Sequence, residues 1–248
     1  SHPEITPMDS NIVVLLAALR VGLAKGGLGG VAGALIAPLL STVMPVSTAV
    51  GLTLPLLMVG DAFALRFYWR QWDMKHIRLL IPAAVVGIVF GVLLLTRLSD
   101  EALRRLLGIF SLVAAGYKLA NDSLQGLHYA RHDWHGYVAG WTAGFSSALA
   151  NAGGPPFTAY MLLQKVTPMT FIGTSTLFFA IVNALKLPVY LTGGVIDVPQ
   201  VVGIAWALPL IPLGVGLGRG IIRRMNRAIF EWFMLITLVW AGLSLLFG

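Results

Sequence analysis

The sequence predicts an all-α polytopic membrane protein built from two inverted homologous halves, each with one broken or re-entrant segment plus three transmembrane helices. Composition points there first: 248 residues are 57% hydrophobic and only 11% charged, with a mean hydropathy of +0.84, outside the range of ordinary soluble domains. Charge-free runs point the same way. No Asp, Glu, Lys or Arg lies between Lys25 and Asp61, Asp133 and Lys165, Lys165 and Lys186, or Asp197 and Arg219, and a bilayer core needs only about 20 apolar residues per helix. The third observation is duplication. A shift of about 122 to 127 residues lays Gly22 on Gly144, Gly29-Gly30 on Gly153-Gly154 and Pro45 on Pro168. The series continues with Gly51 on Gly173, Asp61 on Asn183, Tyr68 on Tyr190, Asp73 on Asp197, Pro82 on Pro209, Gly87 on Gly214 and Gly91 on Gly218. An ordered series with small drifting gaps is not a chance alignment of glycines.

Eight hydrophobic segments follow in order, at 11–40, 47–66, 79–97, 103–120, 135–163, 168–190, 199–222 and 229–247. The first and fifth run to about 29 residues, roughly 43 Å as continuous helix, against a hydrocarbon core of about 30 Å. Glycines interrupt both, from Gly22 to Gly33 in the first and from Gly140 to Gly154 in the fifth, where Pro155-Pro156 follows. Glycine lowers helix propensity and proline removes a backbone donor, so both segments should open. Opened backbone at membrane depth must be buried in protein or face a watery cavity. The expected units are a first repeat at 11–120, a linker at 121–134 and a second repeat at 135–248.

Charge placement orients the halves. Arg66, Arg70, Lys75 and Arg78 crowd the connection after the second segment, whereas the matching connection carries only Asp197. In the second half the cations Arg219, Arg223, Arg224 and Arg227 come one connection later. Under the positive-inside rule this swap makes the repeats inverted, with both ends outside and the linker inside.

The formal charge of +7 is spread between apolar spans, without the basic stripe of a nucleic-acid surface. Zero cysteines exclude disulfides and thiolate chemistry. The histidines lie near the N-terminus or in polar connections without ligand spacing, so no metal and no cofactor is expected. The stretch before Asn11 lacks a cationic n-region and does not read as a cleavable signal. No serine pairs with an embedded histidine and no two aspartates share a span, so an enzyme is not expected.

Lys25 sits in Gly22-Leu23-Ala24-Lys25-Gly26-Gly27-Leu28-Gly29-Gly30, the middle of the first broken segment. A mid-membrane lysine costs about 2.5–3.5 kcal/mol and needs a partner, an escape route or a function. It can bind an anion beside open helix termini, snorkel to an interface, or neutralise Asp61. In the second half Asn151 precedes Gly153-Gly154-Pro155-Pro156 and can either offer its amide to an oxyanion or cap the onward half-helix. Asn183 and Lys186 share one helical face. Asp61, the mate of Asn183, reads as a proton-coupling group or as a counterion. Thr174 and Ser175 are neutral donors of lower rank, since hydroxyls in membrane helices mostly bond their own backbone.

The runs GLAKGGLGG at Gly22–Gly30 and ANAGGPP at Ala150–Pro156 resemble the TauE/SafE sulfite exporter family, also called the toluene sulfonate uptake permease family. The resemblance covers nearly the whole chain, including Pro168 to Ser175, the Asn183 and Lys186 pair, and Asp73 with Asp197. It implies transport of sulfite, organosulfonates or small organic anions, in the inner membrane of a prokaryote. Inverted repeats with broken helices independently place a binding site near the midplane. Its expected residues are Lys25 and Lys186 for charge, the amides of Gly26, Gly27, Gly29, Gly30, Gly153 and Gly154, and Asn151 and Asn183 for orientation, with Thr174 and Ser175 as neutral donors. The expected partners are a small anion, the lipid bilayer, a coupling proton or ion, and a second copy of the chain in a homodimer. Without a nucleotide-binding motif, alternating access on an ion gradient is the expected mechanism, and an anion channel is the alternative.

Overall fold

The computed structural model describes residues 7–28, 36–40, 43–44, 46–95, the single positions 101, 105, 109, 112 and 116, and 132–247. Among the described residues every regular element is helical. In order they are α1 (Pro7–Leu23), a π-helical turn (Ala24–Leu28), α2 (Ile36–Leu40), α3 (Val46–Phe67), α4 (Met74–Leu95), α5 (Asp133–Ala150), α6 (Gly154–Leu163), α7 (Pro168–Thr192), α8 (Val198–Gly203), a 3-10 turn (Ala205–Ala207), α9 (Leu210–Ile222) and α10 (Arg227–Phe247). Three stretches, Met74–Val92, Pro168–Thr192 and Ala205–Ile222, are long and apolar enough to cross a membrane. Large apolar side chains also point outward, as with Val89 and Phe90 on α4, Leu213 and Leu217 on α9, and Ile236 and Trp240 on α10. In water such surfaces invite association; against acyl chains they cost nothing.

Both expected breaks are present. The first segment leaves the α-helical path in the π turn, where Gly27 has φ 174° and ψ −24°. The fifth segment stops at Ala150 because Asn151 turns left-handed (φ 55°, ψ 25°), and its amide bonds back to the carbonyl of Ser147 at 3.0 Å. α6 then restarts at Gly154, with Pro155 and Pro156 in a first turn that needs no amide from them. One further break was not expected. The segment drawn as continuous over 199–222 divides into α8, the 3-10 turn and α9, because Gly203 is a poor helix former and Pro209 lacks the donor that would join the pieces. Pro82, at the matching place in the first half, stays inside an unbroken α4. α5 begins at Asp133, inside the stretch expected to be linker; most of that linker, and most of the segment at 103–120, lie outside the described residues.

Glycines set the helix contacts, because without a Cβ two backbones can approach. Gly22 on α1 packs against the Ile211 carbonyl of α9, and Gly144 on α5 packs against the Ala84 carbonyl of α4. Gly214 meets the Leu19 carbonyl, and Gly87 meets the Trp141 carbonyl. Gly51 meets the Val195 carbonyl, and Gly173 meets that of Gln71. Each pair repeats the other at the sequence shift given above, with the halves exchanged. α3 and α7 also touch one another.

Candidate functional site

The α3 to α7 contact carries a buried polar cluster. Asp61 on α3 receives Lys25 Nζ from the π turn at 2.6 Å and Asn183 Nδ2 from α7 at 2.7 Å. Asp61 and Asn183 are each only 2% exposed. Asn183 lies about 5 Å beyond the midpoint of α7, at 1.5 Å per residue. The ammonium of Lys25 also stands 5.4 Å from the ring centre of Phe179, one turn before Asn183. Breaking one partner out of such a buried pair leaves a naked charge, so the three residues form a unit.

One turn further along α7, Lys186 is fully buried and has no carboxylate in contact among the described residues. Its ammonium donates to Asn151 Oδ1 at 2.7 Å, Ser147 Oγ at 2.9 Å and the Ser147 carbonyl at 3.0 Å. An ammonium has three hydrogens, and three neutral oxygens take them. The ring of Tyr190 lies 5.7 Å from it. Gly153, at the break, packs against Ser147 and the Phe179 ring, so Phe179 joins the Lys25 side of the site to the Lys186 side. The connected, buried cluster thus holds two lysines and one carboxylate, the latter paired with Lys25.

Two tyrosines hold the breaks. Tyr68 donates to the Gly26 carbonyl, and Tyr190 donates to the Ala148 carbonyl at 2.8 Å. These carbonyls precede the interruptions, where α-helical bonding is being lost. Gly26 and Gly27 press their Cα faces against Val215 and Gly218 of α9, so close packing is one role of these glycines. Gly154 opens α6; Pro155 and Pro156 have no N–H and the Phe157 amide donates to the Gly153 carbonyl at 3.4 Å, so the Gly154 amide is the one first-turn donor without an intrahelical acceptor at the positive end of the helix dipole.

The structure therefore brings together Lys25, Asp61, Asn151, Gly153, Asn183 and Lys186. Asn151 caps the C-terminus of α5, not the start of α6, and its side-chain oxygen is turned to Lys186. Thr174 is not in this cluster: it donates to the Thr170 carbonyl at 2.7 Å and accepts the Asp73 amide at 2.9 Å, about 13 Å along α7 from Asn183. Ser175 is buried beside it. Gly29 and Gly30 lie outside the described residues. Ser147, Tyr68 and Tyr190 had no expected role; Ser147 is the mate of Lys25 at a shift of 122, a signal that was present in the duplication. A separate polar cavity of about 140 Å³ lies at the start of α4, lined by Asp73, His76, His132, Asp133, Tyr160 and Gln164 among others.

The model of the family described as Sulfite exporter TauE/SafE matches residues 14–245. No curated protein and no solved structure matches the chain.

Proposed function

The chain belongs to the sulfite exporter TauE/SafE family, a family of membrane transporters, and from that premise we propose that it is a secondary transporter of small sulfur-containing or organic anions, such as sulfite, sulfoacetate or taurine-type sulfonates. The observation that carries this proposal is the buried excess of lysines: Lys25 pairs with Asp61, whereas Lys186 donates only to neutral oxygens of Ser147 and Asn151. With both lysines protonated the cluster holds one uncompensated positive charge, which a monoanion would neutralise. Oxyanion oxygens would take donors from Lys186, Lys25, Asn183 and the amides of the two breaks, including Gly26, Gly27, Gly29, Gly30, Gly153 and Gly154.

In this proposal residues 11–120 and 135–248 are inverted repeats joined by 121–134. The exchanged glycine contacts and the mutual hydrogen bond of the mates Asp61 and Asn183 support a pseudo-twofold axis passing between α3 and α7. Alternating access is then one half rocking on the other about a fixed site. Asp61 couples the step to a proton. Its carboxylate competes with the substrate for Lys25; a proton on Asp61 frees Lys25 and raises the excess from one positive charge to two, so proton uptake favours an anion carrying one further negative charge, such as the sulfite dianion in place of a monoanion. The chain would sit in the cytoplasmic membrane of a prokaryote as a multi-pass protein, with a homodimer as its assembly.

Counterflow of radiolabelled sulfite in proteoliposomes tests the proposal. A carrier shows trans-stimulation by unlabelled substrate inside the vesicle; a channel, the alternative on the same dipoles and cations, shows none.

A further inference from the structure

Arg219, in the last turn of α9, stands in an arrangement that membrane orientation does not require. Its guanidinium carbon lies 5.2 Å from the ring centre of Phe67 and 5.8 Å from that of Tyr68. Its Nε is buried without an acceptor, and among the described residues no carboxylate pairs with it. An arginine serving only to mark the interface extends its head to water or lipid headgroups. This half-buried one lies over two aromatic rings, which favour the cation, while its buried Nε–H has no acceptor, an arrangement with a cost. The fork that remains matches the oxygens of a sulfite, sulfonate or carboxylate group.

Its location connects it to the deep site. The preceding residue, Gly218, packs on the backbone of Gly26, next to Lys25, and Tyr68 under the guanidinium donates to the Gly26 carbonyl. At the shift that lays Gly91 on Gly218, the mate of Arg219 is Val92, a partly buried apolar residue. Only one of the two related positions carries a cation.

We propose that Arg219 forms a second, shallower oxyanion subsite that captures the anion at one mouth of the pathway and passes it to Lys25, while Val92 leaves the related mouth neutral. This rests on the transporter reading above. A cation on the approach to a site acts on the rate of association and its salt dependence, not on final affinity.

The test compares wild type, Arg219→Gln and Arg219→Lys in two assays: initial uptake of radiolabelled sulfite into proteoliposomes at low and high salt, and equilibrium sulfite binding to purified protein. Arg219→Gln should lower low-salt uptake about tenfold, flatten its salt dependence, and leave the dissociation constant within about twofold. Arg219→Lys should keep the salt dependence. Uptake equal to wild type overturns the proposal, as does slower uptake with unchanged salt dependence and a lower melting temperature, the signature of a support for Tyr68. Where Arg219→Gln does not fold, Val92→Arg carries the test: a cation at the second mouth should raise low-salt uptake, and an unchanged rate overturns the subsite. A wild type that neither binds nor transports sulfite, sulfoacetate or taurine overturns the transporter reading itself. Normal wild-type transport with an indifferent Arg219 overturns only the subsite.

Discussion

Asp61 and Asn183 hydrogen-bond to each other at 2.7 Å across the contact of α3 and α7, although each is the other's counterpart at a shift of 122 residues. A carboxylate on α3 there meets an amide on α7, so the contact is asymmetric in charge.

In the proposed transporter the coupling role of Asp61 and its structural role are separable. Asp61→Asn keeps a hydrogen-bonding group opposite Asn183 but removes the proton-binding charge. It should abolish gradient-driven accumulation of sulfite while exchange across the vesicle membrane continues. Both Asp61→Asn and Asp61→Ala leave the Lys25 ammonium without a carboxylate; Asp61→Ala also removes the hydrogen-bonding group and should cost about 3–5 kcal/mol of stability, read as a fall in melting temperature larger than that of Asp61→Asn.

Lys186 should matter to binding more than to stability. Its ammonium is held by neutral oxygens alone, so Lys186→Met relieves the burial of a charge but strands the acceptors of Ser147 and Asn151, two effects of opposite sign. The variant should melt close to the wild-type temperature and bind sulfite at least about tenfold more weakly, roughly 1.4 kcal/mol. A lower melting temperature with unchanged binding would mark Lys186 as a structural post.

Matched glycines should behave as matched pairs. A side chain at Gly22 collides with the backbone of α9 at Ile211, and one at Gly144 collides with α4 at Ala84. Gly22→Val and Gly144→Val should therefore each destabilise by about 1–3 kcal/mol or more through overpacking, and by similar amounts. A large cost for one and none for the other in thermal unfolding would contradict the equivalence of the two contacts.

The tyrosines at the breaks make a milder pair. Tyr68→Phe and Tyr190→Phe each release one carbonyl, of Gly26 and of Ala148, and each should cost about 1 kcal/mol. The double variant should cost the sum within about 0.5 kcal/mol, since the sites lie in different breaks.

Much of this architecture was legible in the sequence because its signals are local or periodic. Glycine pairs and Pro155-Pro156 mark the interruptions through backbone physics alone, and the shift of 122 residues aligns Asp61 with Asn183, which hydrogen-bond in the fold. Side-chain pairing was less legible. Spacing put Asn183 and Lys186 on one face, yet they serve different partners, because a long lysine reaches a turn away toward α5 while the short asparagine reaches only α3. Thr174 looked like a site hydroxyl by composition, but its depth along α7 assigns it to the connection at Asp73. The break between Gly203 and Pro209 could not be told from the tolerated Pro82, since whether a proline kinks or ends a helix depends on tertiary neighbours. Arg219 resembled an orientation signal, and only the rings of Phe67 and Tyr68 beneath it set it apart.

The central claim is that Lys25 and Lys186 together hold the anion. Equilibrium binding of radiolabelled sulfite and sulfoacetate to purified wild type and to the Lys25→Gln/Lys186→Met double variant tests it most directly. The account predicts saturable binding by wild type and none by a double variant that remains folded and helical. Equal binding by both proteins would contradict it.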